Sequence, residues 1–413
     1  MKGLRWYDAT QYVVLLMMAV AVPVGWRFGL WAALLLAVVS FIKMIMQHKV
    51  GNPVLDQPLR LALFTPIVYW LVLAVSLLWS DDLVTGLVLL RLKAVLLIFP
   101  LCFLLSDTSY LTSCRLRALG YALLISVVGC FLFFSVKAGI NMVNGSSFKA
   151  VTGATFDTRH HTYIALYATV AMVFVYHELS SRWKQLKGWF RGLLIAMLPI
   201  LVCYVVLVNS RAGILAMGLT GVACVVYFAV SHRNWKLAVT IGLLVVAVMV
   251  AATQLLPGYV NRISSTLENV EKDARTQINR SNWHAYLKSP LLGYGAGDYH
   301  ACQVQQYEND GYGYGVTAEF NAHNQYLESL LSAGILGLMA LLCFLVVPVY
   351  ITVCRHSRFS FEVILVVAIV MLNLLFESML ERQMGLLFVG FLLPTIVLIM
   401  SVEKNKFARM ANK

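Results

Sequence analysis

The sequence predicts an all-α, polytopic membrane protein with about twelve transmembrane helices and one large outer loop that carries short helices. The 413-residue chain is 60% hydrophobic and only 12% charged, with a mean hydropathy of +0.78. Its apolar runs recur at lengths of roughly 18–22 residues, enough for a helix to cross a hydrocarbon core ~30 Å thick. A soluble protein of this length would need polar faces between such runs.

The order of the predicted spans divides the chain into three regions of one membrane domain. Residues 1–256 hold the first nine spans, 257–325 form the loop, and 326–413 hold the last three spans and a tail. The first span lacks a small-residue cleavage pattern, so we expect it to stay in the membrane. The predicted spans are about 10–26, 28–46, 61–80, 83–105, 118–137, 162–178, 192–210, 212–230, 237–256, 326–353, 360–379 and 384–402.

Charges in the short loops predict the orientation. Most of their lysines and arginines fall on the side that holds both termini, and such loops stay in the cytoplasm. The segments 138–161 and 257–325 are then expected on the outer face. The net charge of +13 is dispersed among the loops, so membrane lipids explain it and no nucleic-acid partner is expected. Eight cysteines without a CxxC pair indicate no disulfide or zinc framework.

The long loop contains a predicted helix over 274–288. It ends before Ser289 and Pro290, because the residue before a proline disfavours helical dihedrals. Arg280 shares one face with Trp283 and Leu287. An apolar stripe of this kind normally packs on the membrane interface or on the helix bundle, which would hold Arg280 at the bilayer surface. A solvated Arg280 on an exposed face is the alternative. The tyrosines that follow either stack on sugars or form turns.

Arg211 and His323 each stand where a predicted inward-running span begins. The unpaired N–H groups and positive dipole end of such a helix bind phosphate, and a guanidinium adds bidentate bonds. An arginine that snorkels to lipid headgroups is the alternative for Arg211. A helix N-terminus disfavours imidazolium, so we expect a neutral His323 that can accept a proton, oriented by Asn324 or Glu328. A simple capping role for His323 is the alternative.

Further cations lie within or beside the spans. Arg91 and Lys93 fall inside the predicted fourth span, where a charge needs a partner or a water-filled cavity. They meet either an anionic ligand or one of four carboxylates, those of Asp81, Asp82, Glu377 and Glu381. Arg159 enters the sixth span beside His160 and His161, whose rings point in different directions and make a poor metal pair. Together, the outward-facing cations predict a site for an anionic, lipid-carried substrate.

Five short motifs lie between about 205 and 340. They occur at 210–213 (SRAG), 280–283 (RSNW), 289–299 (SPLLGYGAGDY), 322–328 (AHNQYLE) and 334–337 (GILG). In this order they resemble the superfamily of O-antigen ligases and O-antigen polymerases of bacterial envelopes. The resemblance implies a multi-spanning, metal-independent glycosyltransferase of the inner membrane with a large periplasmic loop. It also implies that Arg211 and Arg280 bind the diphosphate of an undecaprenyl-diphosphate-linked glycan, and that His323 is essential for transfer.

We therefore expect an O-antigen ligase without a cofactor that uses lipid A–core as acceptor. The residues expected to bind substrate are Arg159, Arg91, Lys93, Asn324, Tyr294 and Asp298. An O-antigen polymerase or a protein O-oligosaccharyltransferase would use the same donor with another acceptor. A metal-dependent transferase would use Asp81 and Asp82 as ligands, although such a pair more often caps a helix. A transporter of an anionic solute would use Arg91, Lys93 and Arg211.

Overall fold

The computed structural model describes residues 5–47, 50–145, 161–208, 210–232, 243 and 274–411, and no strand occurs among them. The predicted all-α, multi-pass membrane class is confirmed. The helices are α1 (Trp6–Val24), α2 (Trp26–Met46), α3 (Gln57–Val75), α4 (Leu83–Leu92), α5 (Val95–Leu105), α6 (Ser113–Val143), α7 (His161–Arg182), α8 (Gly188–Leu207), α9 (Arg211–His232), α10 (Ala274–Lys288), α11 (Tyr299–Asn309), α12 (Gly313–Ala318), α13 (Gln325–Cys354), α14 (Ser360–Phe376) and α15 (Gln383–Ala411).

The described residues account for fewer spans than the predicted twelve. Within the described ranges, nine helices are long and apolar enough to cross a membrane, and the bent pair of α4 and α5 makes a tenth. The apolar helix α14 is shorter, at 17 residues. The predicted span 237–256 lies outside the described residues except for position 243. A count of twelve is therefore not confirmed, whereas the predicted loop helix at 274–288 coincides with α10.

The chain divides into two compact units. The first contains 1–122, 274–363 and 374–413, and the second contains 123–273 and 364–373. In the second unit α7 packs against α8 and α9. The approach of α9 to α7 is close because Gly213 has no side chain: a Cβ there would lie 2.3 Å from Cβ of Ala165.

In the first unit, α3 packs along α13, and an ion pair joins one end of each. Asp56 caps α3 by accepting from the N–H of Leu59 at 3.3 Å. Nη2 of Arg355, the residue after α13, donates to the two oxygens of Asp56 at 2.7 and 2.6 Å. A carboxylate that both caps one helix and pairs with the next fixes the two ends against each other.

The prediction of one continuous helix over 83–105 is wrong, because the chain bends by 46° between α4 and α5. A break inside a membrane frees backbone carbonyls that need donors. Nε1 of Trp70 donates to the carbonyl of Leu90 at 3.0 Å, and Nε2 of Gln383 donates to that of Leu92 at 3.4 Å. Side chains of neighbouring helices thus satisfy the carbonyls that the bend leaves open.

The helix α13, predicted as one span over 326–353, is also broken. Ala333 and Gly334 have non-helical dihedrals, and φ of Gly334 is +61. A Cβ at Gly337 would lie 2.4 Å from the carbonyl oxygen of Ser329, although eight residues span about 12 Å in a straight helix. The first two turns of α13 therefore fold back sharply against the rest of the helix.

The loop before α11 supplies the hydrogen bonds that this break removes. The N–H of Tyr294 donates to the carbonyl of Leu331 at 2.7 Å, and the N–H of Ile335 donates to the carbonyl of Pro290 at 3.1 Å. Backbone hydrogen bonds therefore join the motif at 289–299 to the part of α13 that contains the motif at 334–337. This contact holds the loop against the membrane helix.

Replacing Gly334 should destabilise the fold. Gly334→Ala is expected to lower the free energy of unfolding by about 1–3 kcal/mol, because a non-glycine residue is strained at this φ and its Cβ would lie 2.1 Å from the carbonyl oxygen of Leu291. Thermal unfolding in detergent measures the effect. Gly129→Ala in α6 is the matched control, since its Cβ would meet nothing within 4 Å. Equal melting temperatures for both variants would contradict this role of Gly334.

Candidate active site

His323 lies in the turn that leads into α13, and its backbone is strained. Its φ of +46 falls in the left-handed region, which costs a non-glycine residue about 1–3 kcal/mol. The His323 N–H donates to Oδ1 of Asn321 at 3.3 Å. Asn324 caps α13, because its Oδ1 accepts from the N–H groups of Tyr326 and Leu327. Hydrogen bonds on both sides of His323 thus hold a conformation that the residue itself disfavours.

The ring of His323 faces a buried carboxylate. Nδ1 lies 3.4 Å from Oε2 of Glu377; the Glu377 side chain is 1% exposed and that of His323 is 24% exposed. A carboxylate beside Nδ1 favours the tautomer with its proton on that nitrogen, which leaves the lone pair of Nε2 able to accept a proton. Among the described residues none makes a hydrogen bond with Nε2. The pair has the arrangement of a base with an orienting partner.

One oxygen of Glu328 joins the two chain segments that carry this pair. Its Oε1 accepts from the backbone N–H of Ala322, one residue before His323, at 2.7 Å. The same oxygen accepts from Oγ of Ser378, one residue after Glu377, at 3.0 Å. Glu328, Ala322 and Ser378 are all buried. A buried, fully bonded carboxylate of this kind fixes the distance between the two segments.

Glu377 is the residue of the site that sequence reasoning missed. The sequence predicts that Asn324 or Glu328 orients His323, whereas the side chain of Asn324 caps a helix and that of Glu328 accepts from the N–H of Ala322 and the hydroxyl of Ser378. The sequence indicates Glu377 only as a partner for cations in the fourth span. Because it lies 54 residues after His323, no local spacing signals the contact.

A second carboxylate, Glu381, fastens the Glu377 segment to the surrounding helices. Nζ of Lys93 pairs with its Oε1, and Nε2 of Gln325 donates to that oxygen at 3.2 Å. The hydroxyl of Tyr299 donates to Oε2 at 3.2 Å. Burial, reinforced by the charge of Glu381, raises the pKa of Tyr299 well above its usual value, so the phenol remains a donor. Lys93 therefore takes the structural alternative, a carboxylate partner inside the protein.

The glycine-rich segment 293–297 and Asp298 seat the loop on the start of α4. The carboxylate of Asp298 accepts from the N–H groups of Asp81 and Asp82 at 2.6 and 2.9 Å. A Cβ at Gly297 would lie 2.0 Å from the carbonyl oxygen of Asp82, so only glycine allows this approach. Asp82 also caps α4. The carboxylate of Asp298 therefore holds the loop against the start of α4.

The remaining residues expected to bind substrate are dispersed. The hydroxyl of Tyr294 donates to the carbonyl of Ala285 at 2.8 Å, which adds to the fold of the loop. Arg91 is exposed on α4. Arg159, with its neighbour His160, lies outside the described residues. Binding roles for these residues stay predictions.

The two arginines expected to bind diphosphate lie in different units. Arg280 is exposed on α10, in the same unit as His323, and no described residue forms an ion pair or hydrogen bond with its side chain. Arg211 is the exposed first residue of α9 in the second unit. Ser210 caps α9, because its Oγ accepts from the N–H of Gly213 at 3.2 Å. Arg211 thus stands at the positive end of a helix, as predicted.

One further cation lies beside the pair formed by His323 and Glu377. Nε of Arg382 is 3.8 Å from Oε1 of Glu377, and the Arg382 side chain is half-exposed. It is therefore within reach of an anion that approaches His323. Within the described part of the chain, no group of three or more His, Cys, Asp or Glu side chains has the arrangement of a metal site.

Removing the Glu328 carboxylate should loosen this site. Glu328→Ala leaves buried donors of Ala322, Ser378 and Gln303 without their acceptor, and each costs about 1–3 kcal/mol. We expect a loss of about 3 kcal/mol in the free energy of unfolding, measured by thermal unfolding in detergent.

Glu328→Gln is the matched control and should retain most of the stability. Its amide oxygen can serve Ala322 and Ser378. Its amide nitrogen can donate to Oε1 of Gln303 once that side chain rotates, because this buried oxygen has no partner among the described residues. If the glutamine variant is as unstable as the alanine variant, the bridge is not what stabilises the segment.

Comparison with known proteins agrees with the motifs. Residues 195–342 match the family model described as O-antigen ligase. This segment includes Arg211, Arg280, His323 and the break in α13. No curated protein matches the chain. Residues 195–342 therefore carry the domain of the O-antigen ligase and polymerase superfamily, which confirms the resemblance.

Proposed function

We propose that the chain is an O-antigen ligase that transfers a glycan from undecaprenyl diphosphate to a hydroxyl group of lipid A–core. The reaction takes place at the periplasmic face of the bacterial inner membrane, with both termini in the cytoplasm and without a metal ion. The observation that carries the proposal is the strained His323 beside the buried Glu377, inside the matched family domain.

His323 acts as the general base. Its Nε2 takes the proton of the acceptor hydroxyl while the acceptor oxygen attacks the anomeric carbon from the face opposite the leaving group. Glu377 holds the ring by its Nδ1 and stabilises the imidazolium that forms, as a carboxylate does in other nucleophile–base arrangements. Since the base and its carboxylate are fixed by Glu328, little reorganisation is needed when the acceptor arrives.

The arginines act on the leaving group. As the new bond forms, the bond between the anomeric carbon and the diphosphate oxygen breaks, and its electron pair leaves with the lipid diphosphate. Guanidinium groups stabilise this growing charge through bidentate hydrogen bonds. Arg280 is exposed and available for this role, and Arg211 adds the positive end of α9. The displacement inverts the configuration at the anomeric carbon.

The acceptor distinguishes a ligase from the other members of the superfamily. Polymerases, ligases and protein-glycosylating relatives share the donor chemistry, and only the hydroxyl that attacks differs. The long segment between Arg211 and His323 favours the ligase, because it places one large outer loop, with room for a bulky acceptor, inside the family domain. An O-antigen polymerase is the second candidate.

A reconstituted transfer assay tests the function. The purified chain is given a glycan on undecaprenyl diphosphate, with lipid A–core, a second carrier-linked unit and a hydroxyl-containing peptide offered separately. Glycosylated lipid A–core is expected. Longer carrier-linked chains would instead identify a polymerase, and a glycopeptide would identify a protein O-oligosaccharyltransferase. No product with any acceptor would remove the glycosyltransferase proposal.

The variant His323→Asn tests the base in the same assay. Asparagine tolerates the left-handed backbone that this position requires, so the variant should insert and fold normally. It cannot act as a base, and transfer should fall by about 10²–10⁴-fold. Near-normal transfer by a folded His323→Asn protein would exclude His323 from proton transfer.

A further inference from the structure

The helix α10 exposes large apolar side chains although it buries two polar ones. Its buried residues are Ile278, Ser281, Asn282 and Ala285, and Nδ2 of Asn282 donates to the hydroxyl of Tyr307 at 2.8 Å. On the outer side, Trp283 is 48% exposed and Leu287 is 57% exposed. In water a helix turns such residues inward. Large apolar side chains that point outward from a helix whose inner side is already packed are typical of a surface that faces lipid.

The exposed apolar surface continues beyond the end of the helix. Leu291, one turn after Leu287, is 70% exposed. Its backbone is nevertheless fixed, because its carbonyl lies against Gly334 at the break in α13. We call Trp283, Leu287 and Leu291 the outer stripe. Three large apolar side chains are thus exposed within nine residues of the chain, and groups of exposed apolar side chains mark interaction sites.

The inner side of α10 touches helices that cross the membrane. Tyr286 packs against a buried cluster that includes Leu327 and Leu330 of α13. The same tyrosine packs against a second cluster, which includes Leu331 of α13 and which Leu89 of α4 also contacts. Both α13 and the α4–α5 pair have the length and apolar character of spans. Thus α10 packs beside helices that are long and apolar enough to be spans.

We propose that α10 is an interfacial helix whose outer stripe is inserted into the acyl-chain region of the lipid bilayer. Trp283 lies at the headgroup boundary, where tryptophan is enriched. Arg280, one turn before Trp283 on the same face, extends its guanidinium to the phosphates of the lipid headgroups. Arg280 is in this way held at the depth where the phosphate groups of lipid-linked molecules lie. Contact between α10 and lipid does not depend on the glycan chemistry.

Photo-crosslinking in native membranes tests the insertion. The full chain is made with p-benzoyl-phenylalanine in place of Leu287 or, separately, of Leu291, and the irradiated protein is analysed by mass spectrometry. An adduct with the mass of one phospholipid is expected at both positions. Glu308, which is exposed on α11, is the matched control. The lipid-adduct yield at 287 should exceed that at 308 by about tenfold, the population ratio that corresponds to burying one leucine side chain.

Three results would overturn the proposal. The first is a crosslink from position 287 or 291 to residues 251–273 of the same chain, and the second is a crosslink to a second copy of the chain. The third is a phospholipid yield at 287 no higher than at 308. None of these readouts requires glycan transfer, so a failure here and a failure of the proposed reaction are distinguishable. Position 291, outside the helix, serves if the substitution at 287 disturbs α10.

Discussion

The carboxylate of Glu328 connects the parts of this site that matter for chemistry. His323 and Glu377 come from segments far apart in sequence, and their contact requires those segments to be held at a fixed separation. Oε1 of Glu328 bonds to the residues next to both of them. Because the carboxylate and both donors are buried, breaking either hydrogen bond leaves an unsatisfied polar group. The hydrogen bond from the N–H of Ala322 to Glu328 also helps to hold the strained backbone of His323 in place.

Broken membrane helices shape the rest of the site. The bend between α4 and α5 places Lys93 where it pairs with Glu381. The break in α13 turns its first two turns back, so that Gln325 and Glu328 reach the segment that carries Glu377 and Glu381. In a membrane such breaks are stable only where the protein itself supplies partners for the freed backbone groups. Here the partners come from Trp70, Gln383 and the glycine-rich loop.

Hydrophobic periodicity and helix signals predicted the all-α membrane class and the loop helix α10, because both depend on local sequence. They did not predict the two breaks, since the runs around Lys93 and Gly334 are apolar enough to be read as single helices and the partners of the freed backbone groups come from distant residues. The short motifs identified His323 and the family domain. They could not indicate Glu377, whose role depends on a tertiary contact across 54 residues. Nor could they show that the side-chain oxygens of Asn324 and Asp298 accept hydrogen bonds from backbone N–H groups, because these bonds too depend on the fold.

The central claim is that His323 and Glu377 act as one unit in proton transfer. A double-mutant cycle on the transfer rate, with His323→Asn, Glu377→Gln and the variant that carries both, measures it most directly. The account predicts that Glu377→Gln slows transfer in the wild-type background and has no further effect once His323 is asparagine. Rate losses that multiply in the double variant would show that the two residues act independently, and would contradict the account.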